Sequence, residues 1–175
     1  MATYNIDPAH SEINFKIRHL MITNVTGSFT KFEGYMESEK DDFADAKIHF
    51  EAETASITTH NEQRDGHLRS PEFFDAEKFP KVTFDSASFQ KKGGDDYTLT
   101  GDLTMHGITK FVTLDVELGG ITTDPWGQSK VGFEIVGKIN RREFGLEWNA
   151  TLETGGVMLA DDVKLQISVQ LVKQA

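Results

Sequence analysis

Residues 162–173 read DVKLQISVQLVK: Val163, Leu165, Ile167, Val169 and Leu171 share one parity, and Lys164, Gln166, Ser168 and Gln170 share the other. A period of two is what a strand with one dry and one wet face requires. The same pattern recurs along most of the chain. Ile13, Phe15 and Ile17 interleave with Asn14, Lys16 and Arg18, and His19 shares the apolar parity. Ile48, Phe50 and Ala52 form another such set, as do Val82 and Phe84, then Tyr97, Leu99, Leu103 and Met105. Val112, Leu114, Val116 and Leu118 follow, then Val131, Phe133, Ile135 and Ile139. Phe29 and Phe32 stand on opposite parity, so a bulge or bend must lie between them if both face inward. The closing run is placed to pair with Ile13, Phe15 and Ile17.

Short turns join these runs. KKGGDD and His106-Gly107 supply the backbone freedom of tight reversals. About eight long strands with short connections favour an all-β, eight-stranded antiparallel barrel over a sandwich. The bore of such a barrel is wide enough to be filled by side chains or to hold one small ligand. The one long interruption is TTHNEQRDGHLRSPEFFDAEKFP, about residues 58–80, which reads as a short helical cap insertion. Thr59 and Glu62 fit a capping box, and Ser70 before Pro71 fits a second helix start. The span from Asn61 to Arg69 has Leu68 as its one large apolar residue and carries Gly66 inside, so it is no core helix. Phe73, Phe74 and Phe79 follow and need an apolar surface to lie on, as the underside of a lid would.

A length of 175 residues fits one domain spanning 1–175. No apolar run approaches the roughly 18 residues of a membrane span, so stable membrane insertion by a helix is not expected. A formal charge of −10 opposes nucleic acid and anionic lipid surfaces. With no cysteine, disulfides, thiol catalysis and thiolate metal sites are excluded. The opening MATYNIDPAHSE has no basic and apolar leader pattern, from which a cytoplasmic location is expected.

Four stretches, NEQRDGHLRSPEFFDAEKFP, GDLTMHGITKFVTLDV, INRREFGLEWN and DDVKLQISVQL, together resemble the YceI-like, lipocalin-like polyisoprenoid-binding proteins. The likeness runs through nearly the whole chain in order. It implies an extended antiparallel barrel with a helical insertion, a long isoprenoid chain held inside, and no established catalysis. Many members of that family carry an export signal, from which this sequence departs. The implied function is non-enzymatic binding or carriage of a polyprenyl, quinone-type or related lipid, with no other cofactor. Thirteen phenylalanines against three tyrosines and two tryptophans suit a lumen that reads its guest by shape and dryness.

The lumen set expected on this reading is Phe15, Ile17, Phe29, Phe50, Phe84, Leu99, Leu103, Met105, Leu114, Val116, Phe133, Ile135, Leu165 and Ile167. His60, Arg64, Asp65 and His67 form a polar cluster at the mouth, fit to steady a phosphate or quinone oxygen. Arg64 and Asp65 could equally pin the cap to strand ends. An enzyme acting on a lipid or small molecule at this cluster, with His67 as acid and base, is the competing reading. No metal site is expected, because the six histidines are scattered without metal-binding spacing. Paired Glu51 and Glu53 read as a solvated exterior. Arg141 and Arg142 are expected at the rim of the opposite end of the barrel, against a lipid phosphate, or in a turn-stabilising salt bridge. Trp126 and Trp148 lie in loop-like surroundings, where either closes a tunnel end or simply packs. A homodimer is left open.

Overall fold

The structure is a computed structural model that describes residues 1–150 and 158–175. Its strands are β1 (Ala2–Ile6), β2 (Glu12–His19), β3 (Thr23–Phe29), β4 (Phe32–Ser38), β5 (Lys47–Glu53) and β6 (Ile57–Thr58), then β7 (Lys81–Gly93), β8 (Asp96–Met105), β9 (Ile108–Thr123), β10 (Ser129–Asn140) and β11 (Leu159–Lys173). Helix α1 (Glu62–Arg69) lies between β6 and β7. Hydrogen bonding runs β1-β4-β5-β7-β8-β9-β10-β11 and closes through β1 with β11, an eight-stranded antiparallel ring. The other strands extend its staves at one end. β11 pairs with β1 through Leu171–Lys173 and with β2 through Ile167↔Ile13, Leu165↔Phe15 and Val163↔Ile17, the register its alternation calls for.

The break between β1 and β2 is local. Asp7 caps a single turn at Pro8–His10 by accepting the Ala9 amide at 3.0 Å, while its own amide donates to the Gln170 carbonyl at 2.8 Å. β3 and β4 are separated at Thr30 and Lys31, where the Thr30 amide turns to the Ser56 carbonyl at 3.2 Å. That two-residue step lets Phe29 and Phe32 both face inward. Gly101 sits where β8 crosses close over β7: a Cβ there would lie 2.3 Å from the Asp85 carbonyl oxygen, so any larger residue would push the two strands apart. His106 and Gly107 take left-handed φ values of 56° and 74° in the β8–β9 hairpin.

One end of the ring is stoppered by the loop at 39–46. Phe43 is 2% exposed and meets Tyr4 and Phe133 edge-on at 5.6 and 5.7 Å. Behind it Tyr97 stacks on Phe89 at 4.5 Å and donates its hydroxyl to the Asp42 carbonyl at 2.6 Å. Asp45 holds the loop by accepting from the Ser38 hydroxyl at 2.5 Å and from the amides of Glu39 and Lys40 at 2.8 and 3.2 Å. These bonds, the Ser38 hydroxyl first, lower its carboxyl pKa to about 2.

The cap closes the other end, with two departures from expectation. The N-cap of α1 is Asn61, whose side chain accepts the Arg64 amide at 3.0 Å, so the capping box read at Thr59 and Glu62 does not form. The Thr59 hydroxyl instead donates to Asp65 at 2.6 Å. Ser70 ends α1 rather than starting a second helix. The carbonyls of Leu68, Arg69 and Ser70 are taken by the amides of Phe74, Ala76 and Phe73, and Asp75 turns the chain at φ 48°. Residues 71–79 therefore run as successive turns. Thr54, fully buried, fastens their return through its hydroxyl to the Phe79 carbonyl at 2.7 Å.

Gly66 is a site for improvement. It lies inside α1 with open space where a Cβ would point. Gly66→Ala is expected to stabilise the protein by about 1 kcal/mol. A raised midpoint in urea with unchanged slope would show it.

Candidate functional site

The bore between the two stoppers is hollow and divided at a waist. The chamber beneath the cap has a volume of about 180 Å³ and the inner chamber about 160 Å³. Phe29, Met105, Ile139 and Leu165 line both, so the chambers adjoin across these four side chains. Their combined size lies at the lower end of the about 300–1,000 Å³ typical of small-molecule sites.

All fourteen residues of the expected lumen set face this space. Phe15 and Ile17 line the cap chamber; Phe29, Met105 and Leu165 form the waist. Phe50, Phe84, Leu99, Leu103, Leu114, Val116, Phe133, Ile135 and Ile167 line the inner chamber. Phe73 and Phe74 roof the cap chamber, Phe74 meeting Phe29 edge-on at 6.0 Å. Phe79 does not join them. It lies 4.9 Å from the His106 ring and against Gly107, bracing the cap on the β8–β9 turn. Ile139, Leu146 and Leu159 also line the cap chamber but lay outside the expected set; Trp148, read as closing a tunnel end or simply packing, lines it too. The alternation of β10 did point to Ile139.

The polar cap residues separate by role. His60 is exposed, at φ 61°, and lines neither chamber. Asp65 is 5% exposed and accepts from the Thr59 amide at 2.8 Å as well as its hydroxyl, tying α1 to β6. Burial pushes its carboxyl pKa up, but the hydrogen bonds from Thr59 outweigh this and hold it below its ordinary value of 3.8. Arg64 and His67 do line the cap chamber. Arg64 donates through Nε and Nη2 to the hydroxyl and carbonyl of Thr59 at 2.7 and 2.9 Å. His67 packs edge-on to Phe73 and Trp148 at 5.0 and 4.8 Å and pairs through Nε2 with Glu72.

Arg141 is not at the opposite end. It leaves β10 in a single turn (Arg141–Phe144) closed by Gly145 at φ 74°, which turns its side chain under the cap, where it lines the cap chamber at 3% exposure. Its Nε donates to the Ala160 carbonyl at 2.8 Å, and Nη1 to those of Leu146 and Trp148 at 2.6 and 2.9 Å. Arg142 makes the turn's salt bridge, Nε to Asp161 at 2.6 Å. Trp148 belongs to the chamber, whereas Trp126 is 84% exposed at the β9–β10 turn. Glu51 lies on the outer face and pairs with Lys81 at 2.7 Å. Among the described residues no group of three or more His, Asp or Glu side chains is placed to hold a metal, and no helix is long and apolar enough to cross a membrane.

Asp65 and Asp45 make both stoppers sensitive to acid. Each carboxyl has a folded pKa below its unfolded value, so each contributes stability in full above about pH 4 and loses it as pH falls through the folded value. Hydrogen-exchange protection, relative to the intrinsic rate at each pH, is expected to fall at 39–46 between about pH 4 and pH 2 and at 58–70 below about pH 4, before the central staves open. Asp65→Asn is expected to flatten this dependence in the cap alone.

A family model for the YceI-like domain matches residues 4–171. The chain belongs to the YceI-like family. A UPF0312 protein of Staphylococcus aureus (strain N315) is 41% identical over 171 residues, 97% of each chain. The crystal structure of Burkholderia cenocepacia BcnA superposes with a TM-score of 0.82 at 22% identity, covering 94% of this chain and 98% of that one. A polyisoprenoid binding domain from Saccharophagus degradans, implicated in plant cell wall breakdown, superposes with a TM-score of 0.74 at 14% identity, covering 98% of each chain. In the last two the likeness is one of fold.

Proposed function

We propose that this YceI-like protein binds and carries a long isoprenoid-like lipid, polyprenyl or quinone-type, without catalysing a reaction on it. The observation that carries this reading is the adjoining pair of chambers inside the barrel, walled almost wholly by aliphatic and aromatic side chains. The name of the Saccharophagus domain, which shares the fold, points the same way. At about 25 cal/mol per Å² of apolar surface, each isoprene unit withdrawn from water contributes on the order of 2 kcal/mol. A few units therefore suffice for tight binding once ordering costs are met. A tail that occupies both chambers must pass between Phe29, Met105, Ile139 and Leu165.

Native mass spectrometry of the purified protein, with extraction and a series of prenols of rising length, tests this. Affinity is expected to climb with each added unit and to level off when the inner chamber is full. A protein that retains no lipid and binds no prenol of any length would overturn the proposal. His67→Gln is expected to leave lipid retention unchanged. Turnover of a bound lipid that disappears in His67→Gln would replace a carrier by an enzyme.

A further inference from the structure

The walls of the cap chamber hold two guanidinium groups, Arg64 and Arg141, and no carboxylate among the described residues. In a chain of net charge −10 that local excess of positive charge is against the general trend. Arg141 is the sharper case. Its Nε and Nη1 are satisfied by three neutral carbonyls, but Nη2 is buried with no partner among the described residues. It makes no ion pair among those residues either, since Asp161 is engaged by Arg142. A buried guanidinium stays charged, and leaving both its charge and one of its donors unanswered is costly. Burial first, and the neighbouring Arg142 charge second, push its pKa below the ordinary value against the smaller opposing pull of Asp161. Three carbonyl contacts account for a structural role in holding Leu146, Trp148 and Ala160; they leave the third nitrogen unexplained. Arg64 likewise spends Nε and Nη2 on Thr59 while lining the same chamber.

We propose that the cap chamber selects a lipid whose head carries an anionic oxygen, a carboxylate or a phosphate monoester, received by Nη2 of Arg141 with Arg64 as second cation. This rests on the lipid-binding reading above and narrows it: the tail lies through the waist toward Phe43, and the head stays beneath the cap. A planar guanidinium suits such an oxygen because the bond is charge-assisted and directional.

The test compares geranylgeranyl phosphate with geranylgeraniol, which share one tail, by titration followed through Trp148 and Trp126 fluorescence or native mass spectrometry. The phosphate is expected to bind about 10- to 100-fold more tightly. Equal affinities would overturn the head-group assignment and leave the carrier reading standing; binding of neither would overturn both. Arg141→Met is expected to erase the preference, read as the ratio of the phosphate and prenol affinities within that variant. Because that variant also loses three carbonyl contacts and could misfold, Arg141→Lys is measured beside it. Lysine keeps the charge without the fork, so the preference should drop several-fold, and a preference untouched in a folded Arg141 variant counts against the assignment. Inorganic phosphate is the third probe. It is expected not to displace geranylgeranyl phosphate when present in large excess; displacement at comparable concentration would mark a free-anion site and overturn the lipid-head assignment.

Discussion

Phe43→Ala is expected to cost about 3–5 kcal/mol, lowering the melting temperature by on the order of 10 °C. The ring is 2% exposed, wedged against Tyr4 and Phe133, and nothing adjacent can collapse into its place because the loop that carries it is fixed by Asp45 at one side and by Tyr97 at the other. Phe43 also holds φ at 62°, a conformation that costs an L-residue roughly 1–2 kcal/mol. Alanine keeps that strain and loses the ring. Glycine loses the ring but relieves the strain, so Phe43→Gly is expected to be no less stable than Phe43→Ala, the reverse of the usual order. Denaturant unfolding of the three proteins measures both differences. A Phe43→Ala loss under about 1 kcal/mol would mean the stopper carries little of the core. Lipid retention should fall in parallel, as water gains the inner chamber.

Filling the waist has the largest expected effect on binding. Leu165 lies in register between Phe15 of β2 and Gly137 of β10 and belongs to both chambers. Leu165→Trp places an indole across the passage at a stability cost of about 1–3 kcal/mol. Long prenols, which must span both chambers, are expected to lose at least about 100-fold in affinity, equivalent to one or two isoprene units' worth of burial. Short ones that fit beneath the cap should lose little. Met105→Trp repeats the block from another stave. Titration of both variants with a short and a long prenol reads the result; a uniform loss across lengths would indicate general damage rather than a closed passage.

The barrel was legible because one face of every long strand is dry, so parity alone assigns Leu165, Phe133, Leu114 and their neighbours inward. The bend between Phe29 and Phe32 followed from the same logic. Parity says nothing where backbone hydrogen bonding, not side-chain sorting, decides the path. The cap start moved from Thr59 to Asn61 because Asp65, buried six residues beyond Thr59, takes the Thr59 hydroxyl. The second helix expected after Ser70 is absent because the last carbonyls of α1 are already taken by the turns that follow. Phe43 was invisible for a related reason: a lone phenylalanine in the acidic run KDDFADA carries no period at all. Arg141 was seen, but its direction depends on the turn closed by Gly145; spacing left the opposite rim, a lipid phosphate and a turn salt bridge open, and the salt bridge falls to Arg142.

The seam of the ring joins β1 to β11, segments that lie at opposite ends of the sequence, with the Gln174 amide bonded back to the Thr3 carbonyl at 2.8 Å. During synthesis, every other stave emerges from the ribosome before this seam can form. Until then the growing sheet presents an oily inner surface and two unpaired margins, the state most exposed to aggregation and to chaperones. It follows that an unfinished cylinder could take up its guest sideways before the last stave docks, so lipid present during translation should load more readily than lipid added to the completed protein.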